Sequence, residues 1–406
     1  MADKMDLLEV EVWDGNMAAS QAFRQVQIDV VAAYPITPST PVVENYAGFL
    51  ADGYVDGEYV MVESEHAAMS GCVGASAAGG RVATATSSQG FALMTEVLYQ
   101  ASGMRLPIVL EVVNRALAAP LNVNGDHSDM YLGRDSGWIQ LDTFSPQEAY
   151  DLTLMAFKIG EDHNVRLPVM VHQDGFICSH TAQGVKTIDD DVAYNFVGEF
   201  QPFNAMLDFE KPASYGVQTE EDWHFEHKAR QHNDLMTKVF PQIQSVFDGF
   251  EKLTGRKYRI VEEYDMEDAD VAIVAMGTSV ESVRIIANEL REKGVKAGVV
   301  GIRVLRPFPL TELAKVFSGV KAIATLDRSS PNGTVGMLFN EISGVLINTN
   351  DNPIMNNYIY GLGGRDLTMD HIRSIYDDLI VNAEAGALQQ PLQQFIGLRG
   401  PKLSFY

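Results

Sequence analysis

The feature that most constrains the fold of this chain is an alternation of short apolar runs with helix-like segments. In the first half, the apolar runs lie at 28–34, 59–63, 81–86, 107–113 and 168–173, and helix-like segments lie at 41–50, 65–78 and 91–102. Such alternation predicts parallel strands covered by helices on both faces of one sheet. The sequence therefore predicts an α/β fold.

The alternation weakens over residues 189–256, where 196–218 resembles a loop and 225–250 a long helix with a polar face. It resumes with strand-like runs at 269–276, 297–303, 321–327 and 357–360. A chain of 406 residues is also too long for one ordinary core. We therefore predict a first domain over residues 1–256, with an extended connection from about residue 189, and a smaller second α/β domain over residues 257–406.

Charge and composition argue against several kinds of partner. The formal charge of −24 argues against nucleic acid and against an anionic membrane surface. No apolar run approaches the roughly 20 residues that a membrane-spanning helix needs. The first 16 residues show neither the apolar core of a signal peptide nor an arginine-rich pattern, so we expect a cytoplasmic location.

The two cysteines, Cys72 and Cys178, are too few for a disulfide framework or a four-cysteine cluster within this chain. Both lie among apolar or small residues, which predicts that they are small buried hydrophobic side chains.

Polar residues follow the predicted strands of the first half, at the ends where ligands bind in open α/β sheets. They are Thr37, then Ser64, Glu65 and His66, then residues 87–90, then Asn114 and Arg115, and finally the polar loop 122–129. A hydroxyl, a carboxylate and a guanidinium would converge on one edge of the sheet, which predicts a binding site there.

Thr37 lies between two prolines in the stretch YPITPST. Prolines fix φ and restrict their neighbours, so this loop is held rigid at little entropic cost and could aim one hydroxyl. The alternative, which the pattern alone favours, is a plain turn before the next helix, with Thr40 as N-cap and Pro41 at the first helical position.

Glu65 would open helix 65–78, which is rich in alanine, glycine and serine. A carboxylate at a helix N-terminus is favourable by itself. Alternatively, a buried carboxylate with a raised pKa, beside a close-packed interface, could share a proton with a ring nitrogen. The pattern favours neither interpretation.

Arg115 would end an apolar strand, where an unpaired guanidinium is costly. Its partner could be the carboxylate of a substrate, which suits its fork geometry, or Asp126 or Asp129 in the polar loop. The Asp126-His127-Ser128-Asp129 run fits no standard set of metal ligands, and an ordered polar loop is favoured.

Several nucleotide-binding and hydrolase motifs are absent from the sequence. There is no G-x-G-x-x-G after a strand, no G-x-x-x-x-G-K-[ST] and no G-x-S-x-G. Gly361-Leu362-Gly363 comes nearest to the first motif, but Asp366 stands where the third glycine should be. Also absent is the Gly-Asp-Gly with a downstream Asn that holds Mg²⁺ and diphosphate in thiamine enzymes.

Long stretches of the sequence carry a family resemblance. In the first half they are YPITPST, NGDHSD and ESEHAAMSGCVGASAAGGRVATATSSQGFALMTEVLYQASGMRLPIVLEVVNRALAAP, and in the second half they are VGIRVLRPFPL and LDRSSPNGTVG. In this order they resemble the α subunits of pyruvate:ferredoxin oxidoreductases (pyruvate synthases), within the thiamine diphosphate-dependent 2-oxoacid:ferredoxin oxidoreductases. The resemblance covers nearly the whole chain. It implies a pyrimidine-binding domain with a parallel sheet, followed by a smaller α/β domain similar to the transketolase C-terminal domain.

The resemblance implies an enzyme that is active only with partner subunits. It would decarboxylate pyruvate oxidatively with coenzyme A, forming acetyl-CoA and CO₂ and reducing ferredoxin, in a reversible reaction. A β-type subunit would share thiamine diphosphate with this chain and hold its diphosphate and Mg²⁺, so no metal site is expected here. Further γ- and δ-type subunits would carry [4Fe–4S] clusters, with none in this chain. Helix 65–78 would be a face where another subunit packs.

The resemblance also assigns roles to three residues. Glu65 matches the glutamate that bonds the pyrimidine N1′, and is thus both a catalytic and a cofactor-binding residue. Thr37 matches the threonine that contacts the substrate carboxylate, and Arg115 matches the arginine that pairs with it. The rigid loop would then hold Thr37 over the reacting carbon, where misplacement lowers the rate steeply.

The substrate is expected to be pyruvate. The run VNRAL at 113–117 resembles the pyruvate class, whereas the 2-oxoglutarate class tends to be rich in glycine there. Thr37 argues against the oxalate enzyme, in which an arginine is expected. Another 2-oxoacid such as 2-oxoisovalerate stays open. Two further alternatives are a non-catalytic scaffold subunit and a transketolase-like enzyme without electron transfer, against which the missing diphosphate motif argues.

Overall fold

The computed structural model describes residues 9–216, 218–349 and 352–399. Residues 1–8, on which the expectation of no leader peptide partly rests, lie outside the described residues. Strands and helices alternate along the described chain, so the predicted α/β fold is confirmed. The strands are β1 Val10–Trp13, β2 Val30–Ala33, β3 Glu58–Met61, β4 Val82–Thr86, β5 Val109–Asn114, β6 Ile139–Asp142, β7 Val169–Asp174, β8 Gln183–Lys186, β9 Val261–Tyr264, β10 Val271–Ala275, β11 Ala297–Ile302, β12 Val304–Arg306, β13 Ala322–Asp327, β14 Ile354–Ile359 and β15 Gln393–Phe395.

The α-helices of the described residues are α1 Gly15–Val26, α2 Thr40–Ala51, α3 Glu65–Ala78, α4 Ser88–Gly103, α5 Pro146–Glu161, α6 Asp190–Val197, α7 Glu221–Asp234, α8 Phe240–Thr254, α9 Ser279–Glu292, α10 Leu310–Val316, α11 Met337–Leu346 and α12 Met369–Ala385. Short helical turns of other types lie at Met130–Gly133, Leu235–Val239 and Leu362–Gly364.

The first sheet runs in the order β12-β6-β7-β5-β4-β2-β3. Its neighbouring strands are parallel, except for β12, which pairs antiparallel with β6. Every residue of β4, β5 and β7 is buried, as expected for parallel strands covered by helices on both faces. The carboxyl ends of β2, β3, β4 and β5 therefore meet at one edge of this sheet.

The second sheet runs in the order β15-β14-β13-β10-β11-β9 and is parallel except for β9. Strand β12 belongs to the second half of the chain, yet it joins the first sheet, with Val304 opposite Leu141. The two halves of the chain thus share the first sheet. The predicted domain boundary at residue 256 stays a prediction.

Two predicted helix starts were wrong. Helix α2 has Ser39 at its N-cap rather than Thr40, because the Ser39 amide and hydroxyl both bond to the Ile36 carbonyl and close a turn one residue earlier. The helix predicted at 91–102 begins three residues earlier, at Ser88. By contrast, α3 has the predicted bounds.

Buried charges join the two halves of the chain. Asp174, at the end of β7, lies 2.8 Å from Arg328 Nη1 and 2.7 Å from His127 Nε2, and accepts a bond from the Thr278 amide. Burial alone would raise the pKa of Asp174, but Arg328 and His127 hold it well below its usual range. The charged side chains of this cluster are almost fully buried, so the halves are packed together through them.

The helices of the described residues include none that is long and apolar enough to cross a membrane. Cys72 and Cys178 are both buried, as predicted from their apolar neighbours.

Candidate active site

The three predicted site residues follow strands that lie side by side in the first sheet. Thr37 is in the loop between β2 and α2, Glu65 is the first residue of α3, and Arg115 follows β5. The strand order β5-β4-β2-β3 and the parallel directions bring all three to the same edge. Their roles remain predictions.

Glu65 is held at the N-terminus of α3. Ser64 is the N-cap, and its hydroxyl accepts a bond of 3.2 Å from the Ala67 amide. Glu65 as a residue is only 7% exposed. The hydrogen bonds of the described residues include none to its carboxylate. His66, next to it, lies 3.6 Å from Glu96 on α4. The Glu65 carboxylate is therefore a buried acceptor that can still take a hydrogen bond.

Gly90, in the first turn of α4, packs directly on the Glu65 side chain. A Cβ atom on Gly90 would lie 2.7 Å from Glu65 Cδ, which real side chains do not tolerate. Because Gly90 has no side chain, the Glu65 carboxylate can occupy the space beside it. This contact was not predicted from the sequence, although SSQG was noted as a polar group after a strand.

Arg115 is buried, with 6% exposure, and its guanidinium bonds to backbone carbonyls. Nη1 donates to the Thr37 carbonyl at 2.9 Å and Nε to the Asn122 carbonyl at 3.2 Å. The described residues place no carboxylate within ion-pair distance of this guanidinium, so neither Asp126 nor Asp129 is its salt-bridge partner. Burial lowers the pKa of Arg115, and the nearby charge of Asp129 partly opposes this shift.

The Thr37 loop is fixed from both sides. Besides the bond from Arg115 to the Thr37 carbonyl, the Asn16 amide side chain donates to the Pro38 carbonyl at 2.9 Å. Gly175 approaches Pro38 so closely that a Cβ there would lie 3.1 Å from the proline ring. The Thr37 residue itself is exposed. These contacts thus hold the loop in one conformation, with Thr37 next to the Arg115 guanidinium.

Asp129 connects the Glu65 side of the site with the Arg115 side. Its Oδ2 accepts bonds from the amides of Ser88 at 2.7 Å and Arg115 at 2.9 Å, and its Oδ1 accepts one from the Asn114 side chain at 2.8 Å. Burial raises the pKa of Asp129 to about 7, although these donors oppose the rise. Sequence reasoning considered Asp129 as a partner for the guanidinium and as part of a run tested for metal ligands. It did not predict this linking role, because backbone donors from distant segments leave no pattern.

The rest of the polar loop is used for internal bonds. Asp126 accepts from the Ser128 amide at 2.9 Å and the Gly363 amide at 3.0 Å, and His127 pairs with Asp174. Across the described part of the chain, no three His, Cys, Asp or Glu side chains are grouped so that they could hold a metal ion. The side chains of Asp126 and His127 thus bond within the chain.

Two family models match this chain. Residues 21–245, more than half of the chain, match the family described as "Pyruvate flavodoxin/ferredoxin oxidoreductase, thiamine diP-bdg". Residues 269–372 match "Pyruvate:ferredoxin oxidoreductase core domain II".

Curated relatives are similar over nearly their whole length. The chain is 46% identical over 387 residues to pyruvate synthase subunit PorA of Thermotoga maritima, covering 95% of this chain and 97% of that protein. It is 41% identical to pyruvate synthase subunit PorA of Pyrococcus furiosus, covering 96% and 98%. It is also 42% identical to ketoisovalerate oxidoreductase subunit VorA of Pyrococcus horikoshii, covering 95% and 97%.

Solved structures share the fold at low sequence identity. A 2-oxoglutarate:ferredoxin oxidoreductase from Magnetococcus marinus superposes with a TM-score of 0.72 at 21% identity, covering 91% of this chain and 65% of that longer chain. A split-gene transketolase superposes with a TM-score of 0.55 at 13% identity, covering 91% and 99%. The fold likeness agrees with the matches above, and the family models and the near full-length relatives show that this chain belongs to the pyruvate:ferredoxin oxidoreductase family.

Proposed function

We propose that this chain is the pyruvate-binding subunit of a pyruvate:ferredoxin oxidoreductase. The assembled enzyme converts pyruvate and coenzyme A to acetyl-CoA and CO₂ and passes the electrons to ferredoxin, and the reaction is reversible. The observation that carries the proposal is the Arg115 guanidinium, which is buried beside Thr37 with no carboxylate partner in the described residues. A small substrate carboxylate supplies the partner that such a guanidinium lacks.

Glu65 fits the pyrimidine ring of thiamine diphosphate. Its buried carboxylate has no donor among the described residues, and a ring nitrogen that carries or shares a proton would supply one. When bound, thiamine diphosphate supplies the nucleophilic carbon and the electron sink for decarboxylation. The contribution of Glu65 is to hold a proton at the ring N1′, in a place that Gly90 keeps open.

Arg115 and Thr37 act on the part of the substrate that leaves. The guanidinium would hold the substrate carboxylate by charge-assisted hydrogen bonds, and the Thr37 hydroxyl would donate another. Because both residues are fastened to each other and to the sheet, the bond that breaks is held in one orientation. Orientation of this kind contributes to rate only while the three site residues keep their relative places.

Partner subunits complete the proposed enzyme. A β-type subunit would hold the diphosphate and Mg²⁺, and γ- and δ-type subunits would hold [4Fe–4S] clusters that pass electrons to ferredoxin. On α3, Ser70, Gly71 and Gly74 are exposed, so a partner backbone can come close to this helix. The division into domains at residue 256, with the connection from about residue 189, and a cytoplasmic location are likewise proposed from the sequence pattern.

A second candidate substrate is 2-oxoisovalerate. The relative that is 42% identical over nearly its whole length is named for ketoisovalerate, and both acids present the same carboxylate and keto group. The relative with 46% identity is named for pyruvate, and we therefore propose pyruvate first.

The proposal is tested on the native complex, purified under argon through this chain. Viologen reduction is followed with pyruvate, 2-oxoisovalerate, 2-oxoglutarate and oxalate, each with and without coenzyme A. We expect reduction that needs both pyruvate and coenzyme A. No reduction with any of these acids, from a complex that retains its thiamine diphosphate and clusters, would reject the oxidoreductase and favour a scaffold role.

The same assay separates a catalytic subunit from a scaffold. Glu65→Gln should abolish most pyruvate-dependent reduction while the complex keeps its subunits. Arg115→Lys should raise the KM for pyruvate, because an ammonium group cannot offer the planar fork. A complex that works equally well with both changes has its active site elsewhere.

A further inference from the structure

A glycine-rich turn in the second half of the chain packs on the loop that follows Arg115. The turn, called here the glycine turn, comprises residues 361–364, and its Gly361, Gly363 and Gly364 have φ angles of 64°, 59° and 82°. These left-handed conformations favour glycine. The loop, called here the Arg115 loop, comprises residues 116–126. The sequence marked the turn only as an incomplete nucleotide-binding motif.

The Arg115 loop and the guanidinium support each other. The guanidinium Nε donates to the Asn122 carbonyl at 3.2 Å, and the Ala116 amide donates to the Asn124 carbonyl at 3.1 Å, which closes the loop on itself. The Asn124 amide also donates to the Asn122 side-chain oxygen at 2.8 Å. The position of the guanidinium therefore depends on the position of Asn122.

The glycine turn holds Asn122 from the opposite side. The Asn122 side chain donates to the Gly363 carbonyl at 3.0 Å, and the Gly363 amide donates to Asp126 Oδ2 at 3.0 Å. A Cβ on Gly363 would overlap the Asn122 amide group, and one on Gly364 would lie 2.5 Å from Asn124 Cβ. The two backbones thus come closer than any side chain at these glycines would permit.

We propose that the glycine turn is a positioning element for Arg115. The turn holds the Arg115 loop, and the Asn122 carbonyl in that loop accepts a hydrogen bond from the guanidinium. This inference rests on the proposed role of Arg115 in binding the substrate carboxylate. In this arrangement the second half of the chain contributes to substrate binding through the position of Arg115, and none of its residues needs to contact the substrate. The Arg328 carbonyl accepts from the amide of His127, the residue that directly follows the Arg115 loop, at 2.8 Å.

The first test uses Asn122→Ala, which removes the side-chain amide that bonds to Gly363 and the side-chain oxygen that accepts from Asn124. The backbone carbonyl that accepts from Arg115 is kept. In the assembled complex we expect the KM for pyruvate to rise roughly five- to tenfold, the size of a typical net hydrogen-bond contribution. The kcat and the KM for coenzyme A should stay within about twofold of the wild type. Equal rises in both KM values, or an unchanged KM for pyruvate, would overturn the proposal.

The second test uses Gly363→Ala with Gly294→Ala as its matched control. Both glycines have positive φ, 59° and 84°, so the backbone strain of the substitution is similar, but a Cβ on Gly294 meets nothing within 4 Å. We expect Gly363→Ala to raise the KM for pyruvate at least as much as Asn122→Ala, and Gly294→Ala to leave it unchanged. If both glycine variants behave alike, the effect is backbone strain and the proposal fails.

The double variant Asn122→Ala/Gly363→Ala adds a coupling measurement. Without the Asn122 amide, the new methyl group has room, so the KM should not exceed that of the more affected single variant. Multiplied effects of the two changes would mean that turn and loop act independently, which contradicts the proposal.

A readout that does not depend on activity separates this inference from the proposed function. Hydrogen exchange of the Ala116 amide, measured in the assembled complex, should be faster in Asn122→Ala than in the wild type. A wild-type complex that reduces no dye with pyruvate would reject the function, while faster exchange would still support the contact. Unchanged exchange of the Ala116 amide in Asn122→Ala would overturn the inference and leave the proposed function standing.

Discussion

Gly90, which has no side chain, determines where the carboxylate of Glu65 can lie. Gly90 lies in the first turn of α4, where alanine would ordinarily be the better helix former. The Glu65 carboxylate occupies the space that an alanine methyl would need. The glycine is therefore explained by the carboxylate and not by the helix.

We predict that Gly90→Ala lowers pyruvate-dependent dye reduction by about a hundredfold, because it displaces the Glu65 carboxylate. Thermal stability should change little, since the displaced group is the far end of a flexible side chain. The control is Gly48→Ala, on the exposed face of α2, where a Cβ meets nothing within 4 Å. Activity that is equally high in both variants would show that the Gly90 contact has no part in catalysis.

Glu111 is a buried acid whose hydrogen bonds indicate that it is protonated. The Thr153 hydroxyl lies 2.6 Å from both Glu111 Oε1 and the Ala149 carbonyl. A carbonyl can only accept, so the hydroxyl donates its one hydrogen to Ala149 and accepts a hydrogen bond from the protonated Glu111 carboxyl. Burial raises the pKa of Glu111 to about 8, which agrees with this direction.

We predict that Glu111→Gln is tolerated near pH 7, because a glutamine amide can replace the acid as donor to Thr153. In the wild type, the raised pKa contributes stability that is fully present below about pH 4.5 and lost as the pH rises through about 8. The variant should lack that decline. Unfolding temperatures of wild-type and variant complexes across this range give the comparison, and a variant as unstable as Glu111→Ala at pH 7 would contradict it.

At the scale of secondary-structure elements, Asp129 fastens the N-terminus of α4 to the end of β5. The Ser87 N-cap of α4 makes no capping bond with its side chain, and Asp129 takes the Ser88 amide instead. The same oxygen takes the Arg115 amide. One carboxylate therefore sets the distance between the helix that contacts Glu65 and the strand that carries Arg115.

We predict that Asp129→Ala destabilises the chain by about 3 kcal/mol or more, because three buried donors lose their acceptor. Asp129→Asn should be milder, since the Asn114 side-chain oxygen, which has no hydrogen-bond partner among the described residues, can turn to accept from the new amide. Unfolding temperature and the KM for pyruvate should worsen together from wild type to Asn to Ala. An equal effect of both substitutions would contradict the proposed bonding.

At the scale of the whole molecule, the two sheets are joined by the buried cluster of Asp174, His127 and Arg328. Replacing one member of a buried ion pair leaves the other charge without its partner. This lowers the free energy of unfolding far more than the loss of an exposed pair does. The cluster also lies next to the Arg115 loop, so packing of the two halves and order at the site are linked through neighbouring residues.

We predict that Arg328→Leu destabilises the complex by roughly 3–5 kcal/mol, because Asp174 keeps its charge with one cation fewer. The depressed pKa of Asp174 gives stability that is present above its unfolded value and lost as the pH falls. Without Arg328 that pKa rises, so acid unfolding should begin at a higher pH. Unfolding temperature against pH measures both effects.

The control for this prediction is Arg373→Leu on helix α12, which removes exposed ion pairs with Glu289 on α9 and with Asp370. It should change the unfolding temperature little. If the two arginine variants are equally stable, the buried cluster does not hold the halves together.

Prediction from sequence succeeded best where one element carries its own signal. The bounds of α3 follow from a capping serine before Glu65 and a left-handed glycine after Ala78. No prediction was made for residues 139–161, which hold β6 and α5. Most of α5 is buried, so it lacks the one-sided apolar stripe that identifies a surface helix.

By itself, the sequence determined the alternation of strands and helices and the polar residues at the strand ends, because side-chain period and turn residues are local properties. It therefore indicated Thr37, Glu65 and Arg115 as one candidate site. Only the tertiary structure determined which backbone amides donate to Asp129 and which glycine leaves space for the Glu65 carboxylate. It also brought the glycine turn against the Arg115 loop. Those contacts join segments that are far apart in the chain. Because most of their donors are backbone groups, which nearly every residue carries, no pattern of residue types can predict them.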